Sequence, residues 1–251
     1  MLKPIFTAFQ FITILPLPAR EITPSDLGRA VGWFPLVGLG IAAFLAAVDE
    51  LLARVFPPGV VVVIIMSLWL LLSGAIHFDG FLDSCDGLFG GKTPQQRLDI
   101  MRDHRVGAFA VAGGGLFLLL RYSALLALPD RTLPLLLAPV LGRWAAALAI
   151  VLFPYARDEG LGRAMKDHAH WPQALLATAI AGGAAWGLGG WQGGVSLVAA
   201  GLGLALVATF ILRRIPGLTG DSYGAIIELT ETLVLVLFSA LKAGFGMGWG
   251  W

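Results

Sequence analysis

Charge is what this chain has least of. Only 13% of its 251 residues are Asp, Glu, Lys or Arg, about half the ~25% of an average soluble chain. A disordered chain, a nucleic-acid binder and a coiled coil all need more, and all three are excluded. Cysteine is nearly absent as well: Cys85 is the single one, so no internal disulfide frames the fold. The charge that is present balances, 17 basic against 16 acidic residues, and its placement matters more than its sum. Apolar residues fill the rest. They make up 57% of the chain, give a mean hydropathy of +0.82, and gather in runs of about 20 residues, each long enough to cross a bilayer.

The runs predict seven transmembrane helices, near residues 31–53, 60–76, 107–128, 133–153, 174–190, 195–212 and 225–241. They are continuous rather than alternating, so helices and not a closed barrel satisfy the backbone in lipid. Residues 5–17 are too short to span and end in Pro16-Leu17-Pro18; they are expected to form an apolar helix at the interface. This stretch lacks the basic start and small-residue cleavage site of a secretory signal. The expected fold is therefore an all-α, polytopic integral membrane helical bundle, with residues 1–251 as a single membrane-embedded catalytic domain.

Two helix starts are written into the sequence. Thr23-Pro24-Ser25-Asp26 offers an N-cap, a proline at the first helical position and an acid close behind. Thr93-Pro94-Gln95-Gln96 offers a capping box; it predicts an amphipathic connecting helix of about three turns, ending before Gly107. Orientation follows from the basic residues. With the N-terminus in the cytoplasm, the inner segments hold Lys3, Arg20, Arg29, Lys92, Arg97, Arg102, Arg105, Arg157, Arg163, Lys166, Arg213 and Arg214, whereas the outer ones hold only Arg54, Arg131 and Lys242. The expected location is the cytoplasmic (inner) membrane with the site facing inward. Glycine-rich spans permit association into a homo-oligomer.

The acids are concentrated. Asp79, Asp83 and Asp86 recur at i, i+4 and i+7, so a helix would set all three on one face at the mouth of the second span. Like charges so close call for a cation, and carboxylates beside phosphates suit Mg²⁺. Gly80 and Gly87 would let a phosphate approach the backbone. The plainer alternative is that each acid caps a helix and faces solvent. A second group, Asp221, Glu228 and Glu231, shares a face at the start of the last span. Asp221 alone would serve as an N-cap, but Glu228 and Glu231 enter an apolar stretch, where acids face a polar interior or a functional cavity.

Among the cations, Arg102 and Arg105 are placed on the connecting helix, as phosphate grips or as a solvated face. Arg143 lies mid-span, paired with an acid or holding an anionic substrate group. Arg121 is expected to snorkel. Tyr155 and Arg157 follow the fourth span as candidate substrate-binding residues. His77, beside the first acids, is a candidate base or a partner to them. Residues 87–93 imitate a phosphate-binding P-loop, but Asp86 stands where its first glycine is required, so that reading is rejected. His168 and His170 are read as an exposed pair.

Residues 77–87, Arg102-Asp103 with Gly107-Ala108, and Gly220-Asp221 with Gly224-Ala225, Glu228 and Glu231 resemble the cobalamin synthase family, membrane enzymes also called adenosylcobinamide-GDP ribazoletransferases. The Phe9, Phe11, Thr13 and Leu15-Pro16-Leu17-Pro18 pattern and Pro154-Tyr155-Ala156-Arg157 with Gly160-Leu161-Gly162 are similar too. The resemblance implies a Mg²⁺-dependent reaction that joins adenosylcobinamide-GDP to α-ribazole or its 5′-phosphate and releases GMP, with the lipid bilayer and these small molecules as partners and no nucleic acid. In that chemistry Asp79, Asp83 and Asp86 would hold the metal, with Asp221 or Glu228 completing the site. Asp103, Glu231 or His77 would accept the hydroxyl proton. Two other classes fit the residues less well. A CDP-alcohol phosphotransferase would place Ala-Arg after Asp-Gly, but Phe81-Leu82 follow Asp79-Gly80. A transporter would carry polar groups to both faces, and here the outer side has few.

Overall fold

The computed structural model describes residues 2–15, 17 and 21–246, with side chains through Leu241. Pro16, Pro18 and Arg20, which carry part of the sequence reading, lie outside the described residues, as does the side chain of Lys242. All regular structure among the described residues is helical apart from one parallel bridge between Tyr155 and Leu218. The helices are α1 (Lys3–Ile12), α2 (Pro24–Ala30), α3 (Phe34–Leu52), α4 (Pro58–Leu72), α5 (Ile76–Gly90), α6 (Pro94–Ile100), α7 (Ala108–Leu126), α8 (Thr132–Leu152), α9 (Leu161–His168), α10 (Trp171–Leu212) and α11 (Gly220–Gly246). A 3-10 turn, Val31–Trp33, joins α2 to α3, so Pro24–Leu52 forms one apolar rod.

Among the described residues, five helices are long and apolar enough to cross a membrane, and α4 with α5 makes a sixth unit bent by 90°. One of the five, α10, has 42 residues, about 63 Å if straight, roughly twice a ~30 Å hydrocarbon core. It is not straight. Gly190 leaves the helical region at φ 51° and ψ −129°, and Gly193 packs directly on the backbone of Ala185. Trp144 on α8 donates to Thr178 in the first half, while its ring lies against Gly201 in the second. The predicted spans 174–190 and 195–212 are therefore the two arms of a helical hairpin. Of the glycines in this region, Gly189, Gly193 and Gly203 meet neighbours, whereas Gly182, Gly183 and Gly187 face open space.

The second predicted span is shorter than expected. It stops at Leu72 because Ser73-Gly74 closes a Schellman cap: the Gly74 N–H donates to Leu71 O and the Ala75 N–H to Leu70 O. Gly74 and Ala75 both take positive φ, 61° and 57°, and the chain leaves at a right angle as α5. At the hub of the bundle, α8 packs against α3, α10 and α11, while α5 packs against α11 and α7. Gly38 makes the α3–α8 approach close, since a Cβ there would sit 2.5 Å from Pro139 O. Large apolar side chains such as Leu116, Leu119, Leu175, Trp186, Leu202 and Leu206 point outward from these helices, as a lipid-facing surface requires.

The connecting helix is also shorter than predicted. The Thr93–Gln96 capping box is present, but α6 ends at Ile100 and the chain runs on as an irregular segment to Gly107. Arg102 and Arg105 therefore sit on a loop and not on a helix face. The reason lies at Asp103, whose carboxylate accepts from the Arg105 backbone and side-chain N–H groups. That local turn competes with continued helix.

Candidate functional site

Two glycines bring the acids together. On α5, a Cβ at Gly80 would sit 2.8 Å from Asp221 Cα; on α11, one at Gly224 would sit 2.7 Å from His77 O. The helices thus cross with their backbones touching, and Asp79 and Asp83 come to face Asp221. Gly80 serves this crossing, and Gly87 packs against Met101 and the carbonyl of Arg97. Neither is left open for a phosphate, contrary to the expectation from the sequence.

Between these helices and the 101–107 loop lies a cavity of about 360 Å³, lined by Asp79, Asp83, Asp86, Asp221, Arg102, Asp103, His104, Arg105 and Arg157 among others. Asp79 is exposed, Asp83 and Asp221 are half-buried and Asp86 is buried. Arg157 arrives by a backbone clasp: the Ala156 N–H donates to Leu218 O and the Leu218 N–H to Pro154 O. This holds the chain after α8 against the entry to α11, so the Arg157 guanidinium donates to Asp221 at 2.6 Å. Capping of α11 falls to Thr219, which accepts from the Ser222 N–H, and the Asp221 carboxylate is left to the cavity. Tyr155 stands behind the cavity, its ring stacked on Tyr223 with centroids 5.9 Å apart.

Asp86 is engaged differently from its neighbours. Gly107, the N-cap of α7, has no side chain to cap with, and Asp86 supplies the missing acceptor from 21 residues away. Its carboxylate takes the Gly107 N–H at 2.6 Å and the Ala110 N–H at 2.8 Å, two of the donors a helix N-terminus leaves orphaned. Asp103 is bound to Arg105, and those hydrogen bonds hold its carboxyl down at about 2. A carboxylate held so low is a weak proton acceptor.

Glu228, Glu231 and Arg143 do not line this cavity. They lie deeper, with Arg121, in a buried quartet: Arg121 bonds both glutamates, and Arg143 bonds Glu231. The Arg121 guanidinium also lies 4.0 Å over the Trp69 ring. Arg121 thus does not snorkel; two positive and two negative charges neutralise one another inside the bundle. Spacing along α11 put Glu228 and Glu231 on the face of Asp221, but the depth of the bundle separates them. His104 and Tyr223 were missed by sequence reasoning. For His104 the only signal was adjacency to Asp103; Tyr223 sits inside the Gly220–Gly224 motif.

A larger, apolar cavity of about 890 Å³ lies on the opposite face of α5, against Phe81, Leu88, Phe89, Leu206 and Phe210. It touches none of the clustered carboxylates, so its size does not make it the site. Among the described residues, no three His, Cys, Asp or Glu side chains converge as a ready-made metal cage. Asp79, Asp83 and Asp221 nonetheless offer a hard, all-oxygen donor set on one cavity. Mg²⁺ is commonly held by one or two carboxylates and completed by substrate phosphates, so the residues fit an ion that arrives with a diphosphate.

Comparison with known proteins places nearly the whole chain in one family. The family model described as Cobalamin-5-phosphate synthase matches residues 4–239. An adenosylcobinamide-GDP ribazoletransferase of Deinococcus radiodurans is 39% identical, over 99% of this chain and 86% of its own length. Proteins of the same name from Desulfitobacterium hafniense and Pseudomonas savastanoi pv. phaseolicola are 36% and 39% identical, covering 94% and 95% of this chain and 96% and 99% of their own. No solved structure matches the chain.

Proposed function

The chain belongs to the cobalamin-5-phosphate synthase family, and from that premise we infer that it is a membrane transferase of late cobalamin synthesis, joining adenosylcobinamide-GDP to α-ribazole or its 5′-phosphate. The observation that carries this for the site is the single cavity where Asp79, Asp83 and Asp221 meet Arg102 and Arg157. A ribose hydroxyl oxygen of the acceptor forms a bond to the phosphorus nearer the cobinamide. The bond from that phosphorus to the bridging oxygen breaks, and GMP leaves with it. The acceptor proton passes to Asp83, half-buried between Asp79 and Asp221. Arg102 and Arg157 hold the departing phosphate, positioning it and offsetting its charge.

Mg²⁺ is part of this proposal. Asp79 and Asp221 would hold it, and when bound it would neutralise the diphosphate. Asp86, committed to α7, is assigned to positioning, and Glu228, Glu231 and Arg143 to the framework of the bundle. The basic end of the molecule faces the cytoplasm of the inner membrane by the same reading, and the open glycines of α10 leave room for a second copy.

The test is GMP release by purified protein in detergent, supplied with adenosylcobinamide-GDP and α-ribazole, with and without Mg²⁺. The expected result is release that needs both substrates and the metal, and that Asp83→Asn abolishes while the variant still purifies as folded protein. Ordinary turnover by Asp83→Asn would overturn the site; no release by folded, lipid-supplemented wild type would overturn the reaction.

A further inference from the structure

The large apolar cavity behind α5 is a wedge between two helices. α5 and α10 each pack on α11, and the space of about 890 Å³ opens between them, walled by Phe81, Leu88, Leu206 and Leu229. Phe89 and Phe210 face one another across it, their ring centroids 5.8 Å apart. The wedge opens sideways: Leu206 is 73% exposed and Phe89 54%, on a face that the apolar helices turn to lipid. No described carboxylate lines it, and its two charged side chains are both cations at one end, Arg213 and Arg214, directly after α10. Arg214 is held at the rim, where its guanidinium donates to Phe210 O at 3.2 Å and lies 3.6 Å over the Phe210 ring. That hydrogen bond uses one of the five N–H groups a guanidinium carries. Arg213 is exposed. Among the described residues, neither arginine is paired with a carboxylate.

We propose that this groove seats an anionic glycerophospholipid, with one acyl chain between α5 and α10 and its phosphate on Arg213 and Arg214. Side chains that line a void lose the contacts a filled space supplies, and a hydrocarbon chain entering from the bilayer restores them. The guanidiniums meet the headgroup, each offering a planar fork to phosphate oxygens. The dimensions agree. From Leu206 to Arg213 the helix rises about 10 Å, most of the ~15 Å depth of one hydrocarbon leaflet. Charge decides the class of lipid. A basic pocket between spanning helices, at one face of the membrane, suits an anionic headgroup, whereas a zwitterionic lipid brings its own cation against the two arginines. The Arg97 side chain donates to Arg214 O, which ties this rim to α6. A chain in the groove would therefore back α5 on the side away from its carboxylates.

The experiment places the full chain in detergent with equimolar phosphatidylglycerol and phosphatidylcholine of identical acyl chains, and measures the lipid retained by native mass spectrometry. The wild type should keep phosphatidylglycerol in preference. Arg213→Gln/Arg214→Gln should cut that preference by about 25-fold, near fivefold for each cation. Arg29→Gln/Lys92→Gln removes the same charge from two other exposed positions and should leave the preference within about twofold, since distant surface charges are screened. Glycerol 3-phosphate in excess, which carries the charge without the chain, should displace none of the bound lipid. Arg213→Gln alone alters one exposed side chain, and its expected fall of about fivefold keeps the test open should the double variant fail to fold. An unchanged preference in the arginine variants, or an equal fall in Arg29→Gln/Lys92→Gln, would overturn the site. So would displacement of the lipid by glycerol 3-phosphate, which would make the arginines a free-phosphate site, or by adenosylcobinamide-GDP, which would give the groove to the donor.

Discussion

Asp83 and Asp86 lie three residues apart on one helix, yet the structure gives them different work. Asp83 faces a cavity; Asp86 takes two backbone N–H groups of α7. Asp86→Asn keeps an acceptor oxygen and should retain measurable GMP release, where Asp83→Asn has none; assaying the two side by side separates them. Asp86→Ala should also cost about 0.5–2 kcal/mol, the usual worth of an N-cap, read as a lower thermal midpoint in detergent. The buried quartet answers to a different rule. Glu231→Gln leaves Arg143 and Arg121 short of a counter-charge in a site with almost no solvent, a loss of about 3–5 kcal/mol. A Glu231→Gln protein as stable as wild type, by thermal midpoint and by elution profile, would show that the quartet does not hold the bundle together.

Elements meet at the site because of what their glycines lack. The crossing of α5 and α11 has room for no Cβ at Gly80 or Gly224, and it is this contact that sets Asp79 and Asp83 opposite Asp221. Gly80→Ala must part the two helices or turn one of them. A displacement near 1 Å between catalytic groups is worth about 100-fold in rate, so turnover should fall by that order while the protein still elutes as a folded species. An unchanged kcat would mean that the crossing tolerates the methyl and that the carboxylates do not depend on it. The bend before α5 belongs to the same scale: the Schellman cap at Gly74 turns α5 out of line with α4, and without that turn α5 could not lie across the start of α11.

For the molecule as a whole, the polar chemistry is gathered at one end. The carboxylate cavity, the 101–107 loop and the clasp between Pro154–Ala156 and Leu218 all lie there, while Asp49 and Arg131 pair at the other ends of α3 and α8. Orientation can be tested by single-cysteine labelling, because the native Cys85 is buried and contributes little background. A membrane-impermeant maleimide added to intact spheroplasts should label Val55→Cys directly and Glu159→Cys only after permeabilisation. Both positions are exposed. The reverse pattern would invert the assigned topology.

The sequence by itself determined the class of this protein and most of its helices. Long apolar runs can be satisfied in lipid only as helices, the capping boxes at Thr23 and Thr93 are local chemistry that tertiary context did not override, and the i, i+4, i+7 spacing of Asp79, Asp83 and Asp86 is a property of any helix that contains them. What sequence reasoning missed depends on distances between elements. That α6 stops at Ile100, that α10 folds back at Gly190, that Asp86 caps a helix far along the chain, and that Glu231 meets Arg143 rather than the carboxylate cavity are all decided by packing. Periodicity reports which way a side chain faces around its own axis; it carries no information about depth along a neighbour. Only the tertiary structure, by letting α5 and α11 touch at two glycines, decided which of the acids share a cavity.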